Sequence, residues 1–207
     1  MENRNRRIVM SCVGIIICGI SVALFRMAHW GTDPFQTFCT GIQELTGISF
    51  GLLYMIINGL MLLVVFLVQR KYIGIATVLN ITLLGYVVEW TYGWLQRQYP
   101  VESISSKIIF LCLGLLLLCI ASSLYFTADL GVSTYDSIAL YLSEKKVARF
   151  SICRIGTDLF CVITGGLLGA PVGVGTVITA FCMGPLIQFF NKHLAQPILL
   201  YQKKKPG

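Results

Sequence analysis

Charged side chains are scarce in this sequence: 12% of its 207 residues are Asp, Glu, Lys or Arg, about half the share of an ordinary soluble domain. That leaves too little polar surface to cover a globule in water. With 56% hydrophobic residues and a mean hydropathy of +0.79, lipid is the natural solvent for much of the chain. Catalytic and cofactor signatures are missing as well. The two histidines, His29 and His193, stand near the ends of apolar stretches with no Ser, Cys or carboxylate at a recognisable spacing. There is no phosphate-binding glycine loop, no dinucleotide fingerprint, no CxxC pair and no cluster with metal-ligand spacing. An enzyme, an ATPase and a bound metal or cofactor are therefore not expected. The excess of basic residues is no nucleic-acid face, because it falls in short clusters between apolar stretches.

Those apolar stretches number six, at about 8–27, 50–69, 72–94, 107–127, 150–169 and 172–191. Each approaches the roughly 20 residues that a helix needs to cross a bilayer core, and backbone groups in hydrocarbon must be bonded within the segment. The first, Ile8 to Phe25, is long enough to span and is read as a retained helix, not a cleaved leader. Seven of the eight cysteines (Cys12, Cys18, Cys112, Cys119, Cys153, Cys161, Cys182) lie inside these stretches as small apolar residues, and Cys39 lies in a link. With the N-terminus cytoplasmic, twelve Lys and Arg fall inside (Arg4, Arg6, Arg7, Arg70, Lys71, Lys145, Lys146, Arg149, Lys192, Lys203, Lys204, Lys205) and two outside (Arg97, Lys107). Both termini are expected in the cytoplasm, the last residues, 193–207, forming a basic tail.

The chain resembles itself at a shift of 100 residues. Cys12 meets Cys112, Gly14 meets Gly114, Gly31 meets Gly131, Glu44 meets Glu144 and Asn58 meets Asp158. One deletion later the shift is 99, and GIATVLNITLLG (74–85) faces GVGTVITAFCMG (173–184). Aligned Gly, Thr and Glu at one register exceed what apolar similarity gives. The sequence thus predicts one all-α membrane domain, 1–207, of two three-span repeats, 8–95 and 107–192. An odd number of spans per unit inverts the second repeat, an architecture recurrent in secondary transporters. Duplication that merely made a stable bundle is the plainer alternative.

After its first span each repeat carries a short link, GTDPFQTF (31–38) and GVSTYDSI (131–138). Thr32 or Asp33 is placed to cap a helix that Pro34 begins, and Ser133 or Thr134 to cap another with Asp136 in its first turn. These short helices are either re-entrant, aiming free N–H groups at a midplane site, or interfacial. Inside the spans, Arg154 and Asp158 share a helix face four residues apart and are expected to pair. Their counterparts in the first repeat are Tyr54 and Asn58. Thr32, Asp33, Asn58, Ser133, Thr134, Asp136, Arg154 and Asp158 are the candidate substrate-binding residues. Two helix starts and Arg154 suit a solute with an anionic group, and Asp158 suits proton or cation coupling. The competing reading is a non-transporting accessory or scaffold protein, and a full path in so thin a bundle can need a second copy or a partner membrane protein.

The GTDPF segment after the first span, the Thr77–Gly85 pattern and the six short spans resemble the YczE/YyaS/YitT-type bacterial membrane proteins, over about residues 8–195. Lacking a soluble C-terminal domain, the chain is closer to the YczE-like branch. The resemblance implies a bacterial cytoplasmic membrane location, with transport the usual supposition and no substrate named.

Overall fold

The computed structural model describes residues 2–68, 70, 73–99, 103–131 and 133–200. Lys71, Val132 and the tail lysines Lys203, Lys204 and Lys205 lie outside them. The described residues form helices and turns only: α1 (Glu2–Ala28), α2 (Pro34–Thr46), α3 (Phe50–Val68), α4 (Ile75–Gln98), α5 (Ile104–Ala128), α6 (Thr134–Glu144), α7 (Phe150–Leu167) and α8 (Val174–Phe190). A π-helical turn, Asn191–Ala195, and the short α9 (Gln196–Leu200) follow. Among the described residues α1, α3, α4 and α5 are long and apolar enough to cross a membrane. The stretch Val174–Phe181 with Leu186–Leu199, bent by 61°, makes a fifth if it is one span. Outside that count stands α7, 18 residues that include Arg154 and Asp158.

The outer faces of these helices are apolar and exposed, with Leu60, Leu67, Phe160, Leu167 and Phe181 among the most open side chains. A surface of that kind is stable against acyl chains and not against water. The inner faces are small and polar. On α1, Gly14 lies against the Ala121 carbonyl of α5, and on α5, Gly114 lies against the Ser21 carbonyl of α1, where the Ser21 hydroxyl donates to the Gly114 carbonyl at 2.7 Å. Missing side chains let the two longest inner helices close backbone to backbone.

Helix packing maps onto itself when the halves are exchanged. The pairs α1–α4 and α5–α8, α2–α3 and α6–α7, α3–α4 and α7–α8, and α2–α7 and α6–α3 all occur, with α1–α5 its own counterpart. The pairing of α2 with α8 goes beyond this set, as do the contacts of Asn191–Ala195 and α9 with α5. The two links repeat each other in detail: His29 and Asp129 both have positive φ (54° and 51°), as do Gly31 and Gly131 (88° and 112°). In each, the residue before the glycine accepts a bond from the start of the other half's last helix, Ala76 N to Leu130 O at 3.1 Å and Gly175 N to Trp30 O at 2.8 Å. A Cβ on Gly31 would stand 2.8 Å from the Gly173 nitrogen, and one on Gly131 2.6 Å from the Gly74 nitrogen. Glycine is demanded there twice over, by φ and by space.

The short helices cross into the opposite half. The first two turns of α2, from Pro34 to Gly41, are largely buried, whereas Glu44, Leu45 and Thr46 at its other end are exposed. Its tightest contact is with α7, where a Cβ on Gly41 would come within 2.6 Å of the Gly165 carbonyl and one on Gly165 within 2.6 Å of the Thr37 carbonyl. In the same way α6 packs on α3.

Candidate functional site

Two caps start the site. Asp33 Oδ1 accepts from the Gln36 backbone N–H at 3.3 Å, and Pro34 opens α2 where no N–H donor is needed. Ser133 Oγ accepts from the Asp136 backbone N–H at 3.0 Å and donates to Asp136 Oδ2 at 2.8 Å. Of the alternative caps, Thr32 instead meets the Thr37 hydroxyl at 3.2 Å, and Thr134 looks across the molecule. The Thr134 hydroxyl donates to Asn58 Oδ1 of α3 at 2.6 Å, while Asn58 Nδ2 donates to the Tyr54 carbonyl at 2.9 Å.

Between these caps the halves meet through aromatic rings. Phe35 and Tyr135, equivalent positions at the shift of 100, stack with centroids 4.9 Å apart. Tyr54 meets Phe35 edge-on at 5.9 Å, and its counterpart Arg154 lies over the Tyr135 ring at 4.7 Å. The same positions thus make the same contacts with different chemistry: ring on ring in one repeat, cation on ring in the other.

Arg154 makes two ion pairs. Its Nη1 pairs with Asp136 Oδ1, and its Nε lies 3.3 Å from Asp158 Oδ1, the contact expected from their spacing. Asp158 Oδ1 also accepts from the Tyr135 hydroxyl at 2.6 Å. Among the described residues no cationic side chain is in contact with Asp33, which lies within electrostatic reach of Arg154 and Asp158. Two carboxylates thus contact the one guanidinium, and Asp33 is a third acid within electrostatic reach of it. An arrangement of this sign holds a further positive charge or a proton more readily than an anion.

The candidate residues fall into one connected group, Asn58, Ser133, Thr134, Asp136, Arg154 and Asp158, with Asp33 beside it; Thr32 serves the turn before α2. Sequence reasoning missed Tyr135 and Phe35, which join the group at its centre. Their signal was present: both follow the capping position by two residues, and both are aromatic at equivalent positions. Beside the group, a groove of about 220 Å³ separates α7 from α8, lined by Ile155, Asp158, Leu159, Thr176 and Val177 among others.

Arg26, in the last turn of α1, reaches the exposed end of α2. It donates to Gln43 Oε1 at 2.9 Å, its guanidinium 4.7 Å from the Phe50 ring centre and 4.6 Å from that of Tyr92. Glu89 Oε2 accepts instead from the Gly51 N–H at 3.2 Å.

Apolar outer faces, polar inner contacts and a buried charge cluster define an integral membrane protein of helical type. The chain belongs to a family of unknown function, DUF6198, whose model matches residues 5–192. It is similar to an uncharacterized protein of Haemophilus influenzae, 28% identical over 188 residues that cover 90% of this chain and 84% of the relative. The uncharacterized membrane protein YczE of Bacillus subtilis is 26% identical over 177 residues, 85% of this chain and 81% of its own. YyaS of the same organism is 20% identical over 178 residues, 86% and 89% respectively. No solved structure matches significantly.

Proposed function

We propose that the chain is a transporter for a small polar solute, working by alternating access between two inverted three-span repeats, 8–95 and 107–192. The observation that carries the reading is the crossing of the short helices. Each half sends a capped helix into the other, and the buried polar group forms where Phe35 meets Tyr135. Related halves of opposite orientation supply two related end states. The present one is asymmetric: a groove separates α7 and α8, whereas their counterparts α3 and α4 close to a Gly51–Gly85 contact in which a Cβ on Gly85 would stand 2.9 Å from the Gly51 carbonyl. In this reading α2 and α6 are re-entrant, both termini are cytoplasmic in a bacterial inner membrane, and α7 and α8 complete six spans. The charge balance favours a cationic solute, or a proton on the carboxylates as the coupling ion.

The test is thermal stability of the purified protein across a panel of small cations, zwitterions and anions, wild type beside Asp158→Asn. A saturable rise in melting temperature with one chemical class, weakened in the variant, is expected. Identical melting of both proteins in every solute would defeat the reading. A thiol-labelling map placing residues 31–48 and 131–148 on one side of the membrane would defeat the inverted topology by itself.

A further inference from the structure

One face of α2 carries three polar side chains, two of which each have a buried atom without a partner among the described residues. Gln36, Thr40 and Gln43 recur at intervals of four and three, which puts them in line along one side of the helix. Gln36 and Thr40 are 5% and 6% exposed, and neither Gln36 Oε1 nor the Thr40 hydroxyl has a hydrogen-bond partner among the described residues. Asp33, the cap one turn before Gln36, extends the line toward the charge group. Burial falls along the face, from Gln36 and Thr40 through the half-buried Gln43 to the exposed residues 44–47.

Two orphaned polar atoms on one helix face, within one domain, cost too much to be left dry. A buried hydroxyl or amide oxygen without a partner forfeits about 1–3 kcal/mol, and the usual resolution is ordered water. The face also has a direction, from a carboxylate at the buried end to solution at the other. Its counterpart in the second half is Asp136, Leu140 and Ser143, where Leu140 interrupts the polar line and Asp136 is paired with Arg154.

We infer that water occupies the Gln36–Thr40–Gln43 face of α2 and forms an aqueous path from the exposed end of that helix to Asp33. Arg26 stands at its mouth, bonded to Gln43 and flanked by Phe50 and Tyr92. The path gives the carboxylate group its contact with one side of the membrane. It rests on the transporter reading for its role, not for its geometry.

The test is thiol accessibility. Gln36→Cys, Thr40→Cys and Gln43→Cys are made singly and treated, in membranes, with a small charged methanethiosulfonate. Modification is read by peptide mass spectrometry against native Cys39, fully buried on the neighbouring face. Positions 40 and 36 are expected to react at least about tenfold faster than Cys39, since a thiol reacts as the hydrated thiolate. Modification at 43 alone, with 36 and 40 as slow as Cys39, would overturn the path. Thr40→Val supplies a second measurement that introduces no thiol: a hydrated hydroxyl makes the variant melt lower than wild type, and a dry one makes it melt higher. Modified positions without any solute-induced shift would leave the path standing and remove the transporter. A solute-induced shift with 36 and 40 unmodified would do the reverse.

Discussion

Arg154 holds two carboxylates on different helices, Asp136 of α6 and Asp158 of its own α7, and so joins the capped link to the span behind it. Removing the guanidinium leaves both acids facing each other across a site that lipid surrounds. Arg154→Gln is therefore expected to destabilise by about 1–3 kcal/mol, tempered because about a third of the side chain is exposed. Adding Asp136→Asn should restore part of the loss. The measurement is thermal unfolding in detergent, and a double variant no better than the single would show that the charges do not interact. The buried bond from Thr134 to Asn58 gives a neutral comparison: Thr134→Val and Asn58→Leu should each cost about 1–3 kcal/mol, and together less than the sum. At this scale the sequence was partly legible. The Arg154–Asp158 spacing announced its contact because both ends lie on one helix. Asp136 was visible only as a capping-turn acid, since its pairing with Arg154 depends on how α6 lies on α7.

Between α2 and α7 the packing depends on two glycines. Gly165→Ala would drive a methyl to 2.6 Å from the Thr37 carbonyl, a backbone atom that cannot step aside. Separating the helices should cost about 1–3 kcal/mol or more and loosen the whole polar group, since Phe35 lies on the same short helix. Gly59→Ala is the matched control. Nothing stands within 4 Å of its added methyl, so the propensity gain of about 0.5–1 kcal/mol should appear alone. Equal effects at the two positions would mean that the α2–α7 contact contributes nothing. The caps at Asp33 and Ser133 were readable in advance, because they follow from local chemistry. The crossing of α2 to α7 was not, because a Gly at 41 and a Gly at 165 carry no mark that they meet.

Across the whole molecule the halves share elements more than they share an interface. Cut between α4 and α5 and co-expressed, residues 1–100 and 101–207 are expected to recover one stable complex, whereas either alone should be degraded or aggregate. Co-purification of the two pieces through a tag on one reads the outcome directly, and a first half that is stable by itself would contradict the crossed packing. The matched landmarks at a shift of 100 residues were legible in the sequence alone. The inequality of the halves was not: α3 and α4 pack closely while α7 and α8 stand apart, although the sequences of both pairs are similarly apolar. The close α3–α4 contact falls at Gly51, where the second half has Ser151.

The crossed short helices also fix an order of events during synthesis. When α2 leaves the ribosome, the helix it must rest against lies roughly a hundred residues downstream and has not been made. Its buried face, with Phe35, Cys39 and Gly41, must wait at the membrane for α7. During that interval Asp33 and Gln36 remain open to water, which spares the insertion machinery from forcing a carboxylate into lipid unaccompanied. The first half thus enters the membrane unfinished, and the arrival of the second draws α2 into place.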